Sequence, residues 1–165
     1  MIKNKKTFII AVPGRLESKR LPNKLLLEIN GKSIIRRVLE KCLEASNKNN
    51  IVFCTDEKKL VLESDKLNVK SIITKKECSS GSERIASIVK NLIRIANNLN
   101  DEKLEIARDI VENTLIINVQ GDQPFVNPKV IENIHQFFYK NKSIQMVTPI
   151  YKLENEKIHS PNTVK

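Results

Sequence analysis

The sequence has few cysteines, few aromatic residues and no long apolar run. Its three cysteines, Cys42, Cys54 and Cys78, show neither a CxxC spacing nor an even pairing, which argues against a zinc site and a disulfide framework. No apolar segment approaches the length of a membrane span, and the run at residues 8–12 is too short for the core of a signal peptide. We therefore expect a soluble protein of the reducing cytoplasm, with no membrane partner.

Positive charge is abundant in the sequence, but it is scattered. The net charge is +10, yet the lysines are interleaved with Glu and Asp, and aromatic residues make up only 4% of the chain. A nucleic-acid-binding protein is expected to cluster its cations and to offer aromatic rings on which bases stack. We therefore interpret the charge as a solvated surface and predict no nucleic-acid partner.

Apolar runs alternate with amphipathic stretches along the 165 residues, a length that allows one hydrophobic core. Strands are predicted over Thr7–Val12, Ile51–Thr55, Lys70–Thr74, Thr114–Val119 and Gln145–Ile150. Helices are predicted over Lys32–Ala45 and Lys58–Lys66, from Ser80 through Ile93, over Asp101–Glu112, and from Pro128 with Asn127 as its cap. This alternation predicts a Rossmann-like α/β fold with a mainly parallel sheet and helices on both faces. The chain stops without a closing helix, so we expect a single domain over residues 1–165 that is truncated at its C-terminus.

A basic loop follows the first strand. It runs from Pro13 to Lys24 and carries the four cations Arg15, Lys19, Arg20 and Lys24. Ligands of open α/β sheets bind beyond the carboxyl ends of the strands, and Arg and Lys suit phosphate groups. A nucleoside triphosphate is the expected ligand. The alternative is an ordinary basic surface turn, which has the same composition.

Two further loops carry candidate residues. Gln120-Gly121-Asp122 follows the fourth strand, and Asp122 is a candidate Mg²⁺ ligand because Mg²⁺ binds through few carboxylates together with phosphate oxygens and water. Ser80 begins a Ser-x-x-Glu capping box at a helix N-terminus, where unpaired N–H groups favour hydroxyls and anions. An ordinary turn and an ordinary helix cap remain the alternatives.

Taken in order, these loops resemble the signature of 3-deoxy-manno-octulosonate (Kdo) cytidylyltransferases. The family has an Ile-Pro-Ala-Arg-x-x-Ser-x-Arg-Leu-Pro-Gly-Lys run after its first strand, then a Ser-Gly-Thr-x-Arg element and a Gln-Gly-Asp-Glu-Pro turn, and the match spans nearly the whole chain. The resemblance implies a nucleotidyltransferase that uses CTP and Mg²⁺ to convert Kdo into CMP-Kdo and pyrophosphate for lipopolysaccharide biosynthesis. It also implies that full-length members are homodimers.

The resemblance assigns roles to individual residues. Those that would hold the nucleotide are Pro13, Gly14, Arg15, Ser18, Arg20, Lys24, Ser80, Gly81, Arg84 and Gln120. Among them, the resemblance assigns Arg15, Ser18, Arg20 and Lys24 to the triphosphate, and Ser80 and Arg84 to the cytidine. Those with a catalytic role would be Arg15, Lys24 and Asp122, with Asp122 binding the magnesium ion.

The chain departs from the family pattern at several positions. Gly14 replaces the usual Ala, Asn23 the usual Gly and Gln123 the usual Glu, while Cys78 stands where the family has a histidine. The stretch from Ile88 to Asn113 is longer than the family needs, which indicates a surface insertion. The family's second metal-binding aspartate and most of its sugar pocket lie beyond the matched part, so we expect little or no turnover from this chain by itself.

Two alternatives stay open at this point. The first is a cytidylyltransferase for another acidic sugar, an acylneuraminate or an amino-Kdo. The second is a truncated remnant that binds a nucleotide or a partner protein without catalysis.

Overall fold

The structure, a computed structural model, describes residues 6–17, 21–101, 105–141 and 143–150. The strands are β1 (Thr7–Gly14), β2 (Glu28–Ile29), β3 (Lys32–Ser33), β4 (Ile51–Thr55), β5 (Lys70–Ile73) and β6 (Thr114–Asn118). The α-helices are α1 (Ile34–Ala45), α2 (Lys58–Asp65), α3 (Gly81–Ser87), α4 (Val89–Ala96), α5 (Arg108–Glu112) and α6 (Pro128–Lys140). Two short 3₁₀-helices cover Lys24–Leu26 and Lys48–Asn50.

Four strands form a sheet in the order β5-β4-β1-β6, and all three neighbouring pairs are parallel. The carboxyl ends of these strands therefore share one edge. This arrangement confirms the predicted parallel α/β fold.

Alternation along the two central strands sends side chains to both faces of the sheet. Ile10 and Val12 of β1 join Phe53 of β4 in a core that α1, α2 and α6 cover. Ile9 and Ala11 point to the opposite face, where α3 and α4 pack. Because both faces are buried, these strands are apolar throughout, as is typical of parallel sheets. The predicted helices on both faces are confirmed.

The predicted helix caps are present. Asn127 accepts a hydrogen bond from the Lys129 N–H at 3.0 Å, and Pro128 occupies the first helical turn of α6. Ser80 accepts from the Glu83 N–H at 3.1 Å at the start of α3. Helix capping also makes α1 begin at Ile34 and not at Lys32 as predicted, because Ser33 caps this helix by accepting a hydrogen bond from the Arg36 N–H.

A small hairpin that the hydrophobic pattern did not predict precedes α1. β2 and β3 pair through Glu28 with Ser33 and Ile29 with Lys32. The turn between them holds Asn30 at φ 48° and Gly31 at φ 70°. Both angles belong to the left-handed region that an Asn-Gly hairpin turn requires.

The predicted helix from Ser80 through Ile93 is divided in two. Ile88 has φ −124° and ψ 18°, which separates α3 from α4, while Ile85, Ile88 and Leu92 all stay buried against one face of the sheet. Among the described residues of the helix predicted over Asp101–Glu112, those of α5 are helical. The described residues 105–112 are exposed or half-buried, so little packing supports a longer helix. This exposure agrees with the surface insertion predicted over Ile88–Asn113 only in its later part, because Ile88 and Leu92 at its start are buried in the core.

The strand predicted over Gln145–Ile150 is wrong. These residues are irregular, and Met146 and Ile150 are 83% and 93% exposed. A strand needs a partner for its backbone groups, and β6 ends the sheet on that side within the described part of the chain.

The three cysteines are buried free thiols. Burial raises the pKa of the Cys42 thiol to about 12, and burial likewise raises the pKa of Cys54 to about 12. Neither is therefore suited to nucleophilic chemistry, because the thiolate is the reactive form. Among the described helices, none is both long and apolar enough to cross a membrane.

Candidate functional site

A cleft of about 1120 Å³ opens at the carboxyl edge of the sheet. Nine predicted site residues line it, and they are Pro13, Gly14, Arg15, Lys24, Ser80, Gly81, Arg84, Gln120 and Asp122. The other two, Ser18 and Arg20, lie outside the described residues. The cleft thus brings together three loops that are far apart in the sequence. The individual roles of these residues stay predictions.

An ion pair joins two of the predicted catalytic residues. The Lys24 Nζ lies 2.8 Å from Asp122 Oδ2, and the two side chains are 36% and 46% exposed. Exposed ion pairs contribute only about 0–1 kcal/mol, so water or a ligand can replace either partner at small cost. The pair therefore holds a cation and a carboxylate at the cleft, and both can exchange their contact for a ligand.

Close backbone contact explains the glycine before Asp122. The Gly121 N–H donates to the Pro13 carbonyl at 3.2 Å, which holds the turn after β6 against the end of β1. A Cβ atom at position 121 would lie 2.6 Å from that carbonyl oxygen. The close neighbour that requires glycine at this position is therefore the Pro13 backbone.

Two departures from the family pattern have local reasons. A Cβ atom at Gly14 would lie 2.7 Å from Phe53 Cε2 and 2.9 Å from Leu25 Cδ1, so the Phe53 ring occupies the space that an alanine would need. Asn23 has φ 55°, a left-handed conformation that Asn adopts more readily than most residues other than Gly. Both departures are therefore compatible with the fold.

Arg15 links the first loop to the segment before α3. Its guanidinium donates to the Ser79 carbonyl at 3.4 Å and is otherwise exposed at the cleft. Gln120 donates to Asn118 Oδ1 at 3.0 Å, which orients the amide at the end of β6. An exposed guanidinium with most of its donors turned to solvent suits a phosphate group.

The capping box at α3 is present in a shifted form. The Ser79 hydroxyl and the Ser79 N–H, the latter at 2.7 Å, both donate to the Glu83 carboxylate. These bonds lower the pKa of Glu83. The Ser80 hydroxyl oxygen serves as the helix cap, and its hydrogen remains for donation to a ligand.

Arg84 differs from the other cations of the cleft because it is buried. Its side chain is 2% exposed and pairs with Asp56 at 2.9 Å. It also donates to the Thr74 hydroxyl and to the Lys75 carbonyl.

Sequence reasoning missed Asp56, although a signal for it exists. Asp56 directly follows the buried strand β4, at the carboxyl edge of the sheet. The turn after β6 was chosen as a candidate because it follows a strand in the same way. Applied to every strand, the same rule would have found it.

The donor set suits a cation that arrives with a triphosphate. The described residues contain no group of three or more His, Cys, Asp or Glu side chains able to hold a metal by themselves. Asp122 nevertheless offers a half-exposed carboxylate at the rim of the cleft. A Mg²⁺ ion held by one carboxylate, phosphate oxygens and water fits this arrangement.

Known proteins resemble this chain along almost its whole length. The family model for cytidylyltransferases matches residues 9–165. The 3-deoxy-manno-octulosonate cytidylyltransferase of Idiomarina loihiensis is 32% identical over 160 residues, which are 96% of this chain and 56% of that protein. The protein of the same name from Rhodopirellula baltica is 30% identical and is covered to 56%. The chain therefore spans about half the length of these relatives.

Solved structures show the same relationship. A structure of CMP:2-keto-3-deoxy-manno-octonic acid synthetase complexed with CTP superposes with a TM-score of 0.62 at 26% identity, covering 83% of this chain and 49% of that one. A cytidylyltransferase from Leptospira borgpetersenii shares the fold with a TM-score of 0.59 at 20% identity, covering 82% of this chain and 50% of that one. On the strength of the family match, this chain belongs to the cytidylyltransferases.

Proposed function

We propose that this chain is the nucleotide-binding part of a 3-deoxy-manno-octulosonate cytidylyltransferase, which transfers CMP from CTP to Kdo. The observation that carries the proposal is the meeting of three predicted loops at one cleft, where Lys24 and Asp122 lie 2.8 Å apart. The names of the relatives support the choice of CTP and Kdo. We also propose a cytoplasmic location and, for full-length members of the family, a homodimer.

In the proposed reaction, the anomeric hydroxyl oxygen of Kdo attacks the α-phosphorus of CTP. The bond from that phosphorus to the oxygen bridging the α- and β-phosphates breaks, pyrophosphate leaves, and the hydroxyl proton passes to solvent or a base. Such a transfer depends on positioning and on neutralisation of charge on the phosphate oxygens. Arg15 and Lys24 provide this charge from the loop after β1, and their exposure leaves them free to contact phosphates.

Asp122 would hold the magnesium ion at the rim of the cleft. When bound, Mg²⁺ supplies Lewis-acid neutralisation of the triphosphate charge. Lys24 would then exchange its contact with Asp122 for a phosphate oxygen, so one cation of the chain turns towards the nucleotide. The low cost of opening an exposed ion pair makes this exchange possible.

The test is calorimetric titration of the protein with CTP and with ATP, each with and without Mg²⁺. We expect CTP to bind in preference to ATP, and Mg²⁺ to strengthen the binding. Asp122→Asn should remove the Mg²⁺ dependence, whereas Asp65→Asn, a change at an exposed carboxylate in α2 outside the cleft, should preserve it. Failure of both nucleotides to bind would refute the proposal.

A further inference from the structure

The ion pair between Asp56 and Arg84 is the most buried one in the described part of the chain. Its side chains are 9% and 2% exposed, whereas both partners of every other described pair are at least 12% exposed. Arg84 nevertheless lines the cleft. A buried pair at the edge of a binding cleft needs an explanation beyond surface charge.

Arg84 connects three segments at the carboxyl edge of the sheet. It reaches Asp56 just after β4, and just after β5 it reaches the Thr74 hydroxyl and, at 3.3 Å, the Lys75 carbonyl. Its own N–H donates to the Ser80 carbonyl at 3.0 Å. Ser80 and Gly81 form one wall of the cleft, the Ser80 wall, whose position is therefore tied to Arg84 and, through Arg84, to Asp56.

The pair is poorly suited to hold phosphate by charge. Asp56 neutralises the buried Arg84 guanidinium at 2.9 Å, whereas on a different loop Arg15 is exposed and Lys24 is partly exposed in a pair with Asp122 that can open at small cost. The phosphates are thus better matched to the loop after β1. This agrees with the family resemblance, which assigns Ser80 and Arg84 to the less charged cytidine.

The pair is also not optimised for stability. Asp56 Oδ1 is buried without a hydrogen-bond partner in the described structure. An unsatisfied buried acceptor opposes folding, and buried ion pairs can often be replaced by apolar residues without loss of stability. A residue kept for stability alone would not need this arrangement.

We infer that Asp56 is a positioning residue that acts through Arg84 to hold the Ser80 wall for the nucleoside part of CTP. The inference rests on the proposed function. It divides the cleft into a phosphate region, formed by Arg15 and Lys24, and a nucleoside region positioned by Asp56 and Arg84.

The experiment compares two probes, CTP and inorganic tripolyphosphate, by calorimetric titration in the presence of Mg²⁺ and well below the unfolding midpoint. Asp56→Asn should weaken CTP binding roughly tenfold or more, because an uncompensated Arg84 no longer holds the wall. Tripolyphosphate binding should change by about twofold at most, because effects at separate sites are close to independent. Asp65→Asn is the matched control and should alter neither.

If Asp56→Asn does not fold, Asp56→Glu carries the same measurement, since it keeps the charge of Arg84 paired while shifting the position of the guanidinium. An equal loss for both probes, or no loss for CTP, in a folded variant would overturn the inference. Wild-type protein that binds tripolyphosphate but not CTP would overturn the proposed function and the inference with it. Wild-type protein that binds CTP but not tripolyphosphate would overturn the inference and leave the proposed function intact.

Discussion

At the residue scale, two ion pairs at the cleft differ in how easily they open. The pair of Lys24 with Asp122 is about two-fifths exposed, while the pair of Asp56 with Arg84 is almost fully buried. Opening an exposed pair costs about 0–1 kcal/mol, whereas removing one partner of a buried pair costs about 3–5 kcal/mol. The first pair is therefore suited to exchange partners with a ligand, and the second to keep its geometry.

Replacing Lys24 should affect ligand binding without affecting stability. We expect Lys24→Met to weaken CTP binding roughly tenfold or more, because a hydrogen bond to a charged group contributes about 1.5–3 kcal/mol. The free energy of unfolding should stay within about 1 kcal/mol of the wild-type value, since the pair is exposed. Calorimetric titration and chemical denaturation measure the two effects. Lys41→Met, which removes an exposed pair with Glu44 outside the cleft, is the control and should leave CTP affinity unchanged.

Gly121 should tolerate no side chain. Gly121→Ala places a Cβ atom against the Pro13 carbonyl oxygen, so we expect a loss of about 1–3 kcal/mol in the free energy of unfolding. Chemical denaturation provides the measurement. Gly31→Asn is the comparison, because position 31 has open space and a left-handed φ of 70° that Asn accepts. Equal losses in the two variants would contradict the steric argument.

At the scale of elements, the caps were predictable and the interruptions were not. Ser80 and Asn127 cap their helices as the sequence indicates, because a cap depends on residues within one helical turn. The hairpin before α1 had a readable signal in Asn30-Gly31, which the hydrophobic pattern concealed. The break at Ile88 and the irregular residues 145–150 depend on which neighbours each segment contacts, and sequence periodicity does not contain that information.

The packing of α6 against β1 gives a prediction on pH. His135 stacks on Phe8 with ring centroids 4.0 Å apart and meets Tyr139 edge-on, and Lys6 lies 5.7 Å from the Tyr139 ring. The His135 Nε2 is buried without a hydrogen-bond partner in the described structure. Burial lowers the pKa of His135 below its ordinary 6.5. The native state then binds fewer protons than the unfolded state between the two pKa values. Stability should therefore fall as the pH drops through about 6.5 towards the lowered pKa.

Chemical denaturation at about pH 7.5 and about pH 5.5 measures this effect. Wild-type protein should lose more stability than His135→Phe over this interval, because the variant has no imidazole to protonate. Acidic residues titrate equally in both proteins, so the difference isolates His135. An identical pH dependence in the two proteins would show that His135 titrates normally.

At the scale of the whole molecule, the sheet order β5-β4-β1-β6 places β1 between β4, which Asp56 directly follows, and β6, which ends shortly before Gln120. The basic loop after β1 thereby meets the segments at Ser80 and Gln120, which are far from it in the sequence. Parallel strands connected by helices generate this meeting, because every carboxyl end lies at the same edge. A cleft with both cations and a carboxylate is the result.

The share of its relatives that the chain covers limits the catalysis that we expect. The chain spans about half the length of its relatives, and we expect it to bind CTP without converting Kdo at a measurable rate. A pyrophosphate-release assay with CTP, Kdo and Mg²⁺ tests this expectation. Turnover that Asp122→Ala abolishes would contradict it and would place a complete active site within these residues.

The sequence by itself determined the alternation of strands and helices, the two-sided apolar strands and the identity of the three loops. These features depend on local periodicity, capping and turn chemistry, which act over a few residues. Only the tertiary structure decided that Lys24 contacts Asp122, that Gly121 is required by Pro13, and that Arg84 is buried on Asp56 rather than exposed to a ligand. These contacts join residues far apart in the chain, so they exist only once the parallel sheet has brought the strand ends together.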